Sequence, residues 1–342
     1  MKKLLVAVAT ALMLAISALG AHAAGPDTED ARRTKTGFEL VTLCLATRAG
    51  PQAERTVEVP GLAARVLLRV TRSYEGPCAE YGQSAERGEG TMTAYSQTDD
   101  DGKPVSVGVA FTAGVLDGLP YDPPTAGLWC FDKDDDGEVD PMGECAGGYE
   151  DALELGEHFQ QDVDSPFTYV LTNWNPHGHM PPGVYDLPHF DVHFYMTPNA
   201  ERLDIRVGPC EVLVHCDDYP LGKDLPDDKY LAPDFADLDA VEPAMGNHLV
   251  DLTGPEHHGE PFTHTFIYGV WDDEVTFYEP MVTHEWYSGL VGGDVADQCF
   301  GIKQPAAWQE SGWYPTEYCM AHRENRDELT TSLEGFVYRD AS

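Results

Sequence analysis

Apolar residues along this chain gather in short runs cut by turn residues rather than in long stretches of helical spacing. Val105-Ser106-Val107-Gly108-Val109-Ala110-Phe111 reads as a strand, and so do residues 190–196, 266–270 and 275–278. Val, Tyr, Phe and Thr dominate these runs, and their branched or aromatic side chains suit a pleated, half-buried surface. Residues 62–70 fit either a strand or a short helix, and 152–161 and 305–309 offer room for short helices. Turn formers, 33 Gly and 25 Pro, are scattered throughout. This pattern predicts a mainly β fold, a sandwich or barrel with long loops and few short helices.

The organisation follows from the same reading. Lys2 and Lys3, an apolar stretch over 4–19 and Ala21-His22-Ala23 make residues 1–23 a signal peptide cleaved after Ala23. The apolar stretch is short for a membrane-spanning helix. The mature protein is therefore expected in the periplasm or outside the cell, with no membrane association once the signal is removed. Residues 24–87 read as an N-terminal extension that begins with a polar lead-in. Residues 88–340 read as one β-rich metal-binding domain carrying an acidic loop insertion at 130–145.

The chain has 21 Lys plus Arg against 59 Asp plus Glu, a formal net charge of −38. That excess excludes nucleic acid and anionic membranes as partners, since both need a basic surface. It also suits a saline habitat, and bound cations would relieve the self-repulsion. A homo-oligomer and an unidentified small-molecule ligand are the partners left to consider. All 8 Cys follow the signal segment, and an even count in an exported chain implies disulfides. The pairs close in sequence are Cys44–Cys78, Cys130–Cys145, Cys210–Cys216 and Cys299–Cys319. A thiolate metal site at Cys210, His215 and Cys216 is the competing reading of one pair.

Two stretches carry candidate metal chemistry. Asp132-Lys133-Asp134-Asp135-Asp136-Gly137-Glu138-Val139-Asp140 opens like an EF-hand-type calcium loop. Alternate carboxylates, Asp132, Asp134, Asp136, Glu138 and Asp140, converge on one ion, and Gly137 permits the sharp turn. Position twelve falls on Gly143 and Glu144 comes one residue late, so a full EF-hand is absent. A Cys130–Cys145 bridge would close the loop. The competing reading is a plain acidic surface loop.

The other stretch is the densest of the 13 His, residues 173–195. His177 and His179 fall in a Pro-flanked loop. His189, Asp191 and His193 alternate along a strand and share one face, while Phe190, Val192 and Phe194 take the other. Positions two apart lie about 6.6 Å apart and can chelate one ion; positions four apart lie about 13 Å apart, near the limit for two imidazoles on one metal, so both His on one ion would need a bulge or a bend. Asp191 could instead orient an imidazole. His179 is the nearest further ligand, and His248 and Glu279 are the best distant ones. Imidazole with carboxylate suits zinc foremost, then iron, manganese or copper.

Gly178-His179-x-Pro181-Pro182-Gly183-x-Tyr185-x-x-Pro188-His189-Phe190-Asp191-x-His193-Phe194-Tyr195 resembles the signature of a family of exported bacterial proteins of unknown function, which includes a small hypothetical protein from Thermus. Met245-Gly246-x-His248-x-x-Asp251, Phe277-Tyr278-Glu279-Pro280-Met281-Val282-Thr283 and Tyr314-Pro315-Thr316-x-Tyr318 fit as well. The resemblance covers roughly residues 88–340. It implies a β-rich domain in which the His cluster, His248 and Glu279 come together; it implies no activity. The acidic loop and most Cys stand outside it.

No nucleophile elbow, phosphate loop, dinucleotide fingerprint or His-Glu-x-x-His helix is present. The first reading is an exported, disulfide-bonded β protein with one transition-metal site and one calcium loop, whose catalytic status is open. The alternative is a non-enzymatic envelope or ligand-binding protein with a structural His cluster. In its metal-free form, aromatic loops holding Trp174, Tyr185, Trp286 and Tyr287 would bind a sugar or peptide.

Overall fold

The computed structural model describes residues 39–125, 129–141 and 143–342. The signal-peptide segment 1–23 and the polar lead-in after it lie outside the described residues. Among the described residues no helix is long and apolar enough to cross a membrane.

Two large antiparallel sheets carry the fold. The first has seven strands in the spatial order Phe235–Glu242, Gly246–Asp251, His264–Trp271, Glu274–Thr283, His189–Tyr195, Tyr169–Asn175, Tyr149–Glu154. The second has six, in the order Gln298–Gly301, Glu317–Arg323, Glu328–Glu334, Pro104–Thr112, Gly90–Thr98, Glu80–Arg87. Neither sheet closes on itself, so of the two expected all-β forms the molecule is a sandwich. All four strands read from the sequence are present, as Pro104–Thr112, His189–Tyr195, His264–Trp271 and Glu274–Thr283, the second ending one residue before Met196. The last pair is a hairpin turned by Asp272 and Asp273, both at positive φ (50° and 64°). That is the primed two-residue turn, whose twist matches the strands it joins.

The main core lies between the sheets. Phe190, Val192, Phe194 and Tyr278 of the seven-stranded sheet meet Val107, Val109, Phe111 and Leu333 of the six-stranded one. Phe111 and Phe190 have ring centroids 5.6 Å apart, and Tyr287 lies edge-on to both. Tyr287 comes from the helix His284–Gly292, whose N-cap Thr283 accepts from the Trp286 amide. A second, smaller apolar cluster covers part of the outer face of the seven-stranded sheet: Tyr169, Leu171, Tyr185, Tyr195, Phe277 and Met281 are among its members. Both faces of the central strands are therefore buried.

Helices are few, and they depart from the sequence reading in two places. Residues 62–70 belong to the helix Gly61–Val70. The 152–161 stretch is split into the end of strand Tyr149–Glu154 and the helix Glu157–Asp162. The expected helix at 305–309 does not form. There the Ala307 amide donates to the Lys229 carbonyl, and the Gln309 side chain bonds the Val275 amide and the Asp273 carbonyl, so tertiary partners take up the groups of an irregular segment.

The segment before residue 88 forms a three-stranded sheet, Glu54–Pro60, Leu40–Ala46, Tyr74–Glu75, and then supplies Glu80–Arg87 as an edge of the six-stranded sheet. Buried Arg326 pairs with Glu54 at 2.9 Å, and Asn325 donates to the carbonyls of Thr71 and Ser73. Disulfides join Cys44–Cys78, Cys130–Cys145, Cys210–Cys216 and Cys299–Cys319. The thiolate reading of Cys210, His215 and Cys216 is thereby overturned, because the two sulfurs bind each other. Four disulfides fit an oxidising compartment.

Phe190 sits where the two sheets and the helix meet. Phe190→Ala is expected to cost about 3–5 kcal/mol, read as a lowered urea midpoint at unchanged slope.

Candidate metal centre

The register of the seven-stranded sheet explains how distant residues converge. Asp191 pairs with Met281 and Phe194 with Tyr278, which seats His193 directly beside Glu279. On the far side of Glu279 lies Ile267, and one strand further His248 pairs with Gly269. His189, Asp191, His193, Glu279 and His248 thus share the outer face, as the alternation of His189, Asp191 and His193 predicts. Pro280 stands in a central strand, where the missing N–H costs a ladder bond; this is why the sequence suggests a strand only to residue 278.

Gly269 makes the last approach possible. A Cβ there would stand 2.0 Å from the Phe277 ring. Without one, Phe277 lies over this part of the sheet, with its centroid 5.0 Å from His193 and 5.1 Å from His248. Phe277 and Gly269 were not singled out in the sequence, since their role depends on cross-strand register.

The six candidate residues form two groups. In the first, His189 Nε2 is 3.0 Å from Asp191 Oδ1 and His179 Nε2 is 3.6 Å from Asp191 Oδ2. In the second, His193 Nε2 is 3.4 Å from Glu279 Oε1 and His248 Nε2 is 3.8 Å from Glu279 Oε2. Within each group the ligand atoms all lie within 4.8 Å of one another. His179 reaches its place from the Pro-flanked loop, where its amide donates to the Tyr185 carbonyl and its ring packs on His189 at 4.7 Å.

Ring orientation is set from behind. Nδ1 of His179, His189 and His248 lies 2.8, 2.6 and 3.0 Å from the carbonyls of Met180, Leu187 and Ala240. A carbonyl only accepts, so each Nδ1 carries a proton, and in the neutral ring Nε2 presents a lone pair. That is the second-sphere pattern of histidine metal ligands. These lone pairs face carboxylate oxygens, which are also acceptors. His189 Nε2, Asp191 Oδ1, His193 Nε2 and Glu279 Oε2 are all buried without a hydrogen-bond partner. Buried acceptors facing acceptors are costly unless a cation sits between them. Asn175, which the sequence reading did not single out, donates to Asp191 Oδ2 at 2.7 Å and fixes that carboxylate.

Protons answer that demand when no ion is bound, one held on Glu279 and one on the His179 ring beside Asp191. Burial pushes the Glu279 carboxyl well above its usual range, and the Asp191 and Glu242 charges push it further. Burial lowers His193 to about 3. Asp191 is held well below the carboxylate range: burial opposes this, but the neighbouring His189 and His179 outweigh it. His179 rises to about 9 against its burial because Asp191 lies beside it.

A cavity of about 540 Å³ opens onto this face. His179, Asp191, His248 and Glu279 line it, with Glu242 and His177. Glu242 and His177 were not among the sequence candidates. The His177 ring lies edge-on to Tyr121 at 4.8 Å, and its Nε2 is buried without a partner.

The acidic loop borders the same cavity through Lys133, Gly143 and Cys145. Asp132, Asp134 and Asp136 come together there, as an EF-hand-type opening requires. Asp132 also accepts from the Asp136 and Gly137 amides, with Gly137 at φ 89°. Glu138 and Asp140 do not join that group of three. Glu144 is turned inward, accepting from the amides of Lys133, Asp134 and Asp140; the Asp140 bond first lowers its pKa.

The aromatic-loop reading is overturned for three of its four residues. Trp174, Tyr185 and Tyr287 are buried in the core clusters, with Trp174 Nε1 donating to the Pro120 carbonyl. They are spent on packing and cannot stack on a sugar or peptide. Compared with known families, curated proteins and solved structures, the chain matches none of them.

Gly269→Ala is expected to displace Phe277 and cost about 1–3 kcal/mol. It should also weaken metal retention at His193, His248 and Glu279 more than at His179, His189 and Asp191. Equilibrium unfolding and metal titration of the variant check this; wild-type behaviour in both would refute the role given to Gly269.

Proposed function

We propose that this is an exported protein that binds a transition metal through His179, His189, Asp191, His193, His248 and Glu279, and calcium through its acidic loop. The observation that carries the reading is the set of buried, unpartnered Nε2 and carboxylate atoms facing one another. Nothing else among the described residues satisfies them, and a divalent ion would. Two imidazoles with a carboxylate suit zinc foremost, with iron, manganese or copper as competitors. Within either group of three, the protein donors leave a coordination position open, and His179, Asp191, His248 and Glu279 all face the cavity. We favour a ligand-accessible ion over a purely bracing one for that reason; when bound, it would supply Lewis-acid polarisation or an activated water. The chain's own residues orient the imidazoles through the three carbonyl contacts and fix Asp191 through Asn175. The signal-like segment and the four disulfides support export, and the signature residues support membership of the exported family that the sequence resembles.

Elemental analysis of mature protein from an exporting host, purified without chelator, tests the transition-metal reading. Bound transition metal is expected in the wild type, with loss of at least one equivalent in a His189→Ala, His193→Ala double variant. Metal-free protein even after reloading would sink the reading.

We assign calcium to Asp132, Asp134 and Asp136, the three carboxylates of the opening that come together. Calcium at a hundredfold excess over its Kd is expected to stabilise the chain by about 2.7 kcal/mol. Asp134→Asn should abolish that gain. Thermal unfolding with and without calcium reads both, and an equal gain in the variant would remove calcium from this loop.

A further inference from the structure

We propose that the six residues hold two transition-metal ions side by side, one on His179, His189 and Asp191 and the other on His193, His248 and Glu279. The inference deepens the metal-binding reading and rests on it. Strand geometry separates the sets. His189 and His193 are four residues apart on one extended strand, about 13 Å, while a single zinc-like ion needs its nitrogen and oxygen donors within about 2.0–2.2 Å of itself. No register shift interrupts the pairing of His189–Tyr195 with either neighbour, so no bulge folds the two histidines together.

Each carboxylate also turns both of its oxygens toward its own set. Asp191 turns Oδ1 to His189 and Oδ2 to His179; Glu279 turns Oε1 to His193 and Oε2 to His248. The two sets share no member, and each brings two imidazoles and one carboxylate within 4.8 Å. The unpartnered atoms are divided between them too: His189 Nε2 and Asp191 Oδ1 in one, His193 Nε2 and Glu279 Oε2 in the other. A single ion would relieve one set and leave the other with buried acceptors facing each other. Two ions relieve both, and the net charge of −38 readily balances the added positive charge. The sets differ in depth: the His179 side chain is 33% exposed and the His248 side chain 10%.

The test is titration of the mature, metal-stripped chain with Co2+, with calcium present throughout to occupy the acidic loop. Visible absorption and elemental analysis after desalting give the stoichiometry. Two equivalents are expected in the wild type. Asp191→Asn and Glu279→Gln, near-isosteric changes, should each retain one equivalent, with different absorption spectra. One equivalent in the wild type overturns the two-ion proposal and leaves the metal reading standing. None overturns both. Two equivalents lost together from a variant whose circular dichroism and thermal unfolding remain wild-type would overturn the assignment of one ion to each set. The wild-type count decides the proposal even if a variant fails to fold.

Discussion

Everything at the candidate centre depends on strand His189–Tyr195 being buried on both faces. Its even-numbered apolar side chains hold two sheets together, and its odd-numbered polar ones are buried in the opposite face, with only Asp191 of the three reaching the cavity. Burying imidazole and carboxylate in this way costs free energy unless every lone pair finds a partner. The fold meets that demand only partly. Three Nδ1 atoms find carbonyls and Asp191 finds Asn175, but the Nε2 atoms find only other acceptors. A structure that keeps this arrangement at the centre of its largest sheet stores a demand for positive charge there.

The remaining architecture serves to keep that demand in place. Phe190, Phe111 and Tyr287 lock the strand from the inner side. On the outer side Phe277, Tyr185 and Met281 exclude water around the histidines. Gly269 leaves the room that the Phe277 ring occupies beside His193 and His248. The cavity brings solvent and ligands to the lining residues, while Phe277 and the deeper histidines remain packed.

The acidic surface and the disulfides act at a different level. They do not build the centre, but the Cys130–Cys145 bridge closes a 15-residue span whose ends form the short strand pair Trp129–Cys130 and Cys145–Ala146 beside the cavity. Closing a loop of that length removes about 3 kcal/mol of unfolded-state entropy in the chain-entropy account. The loop is thus held ready at the cavity's edge.

Much was legible before any coordinates. The two-residue period of His189, Asp191 and His193 determined which side chains share a face, because strand geometry leaves no alternative. Short Val- and aromatic-rich runs determined an all-β class, and the sequence-adjacent Cys pairs are the ones that bond. Even His248 and Glu279 could be nominated. Only the tertiary structure decided how these residues divide. Whether Glu279 lies beside His193 or Asp191 is a matter of register between strands more than 80 positions apart in sequence. No local pattern encodes that offset. The same holds for Asn175, Glu242, Phe277 and Gly269, whose roles arise from neighbours across the sheet. It holds equally for residues 305–309, kept out of a helix by partners far along the chain. Local period determines which face a side chain takes, and only long-range pairing determines what it meets there.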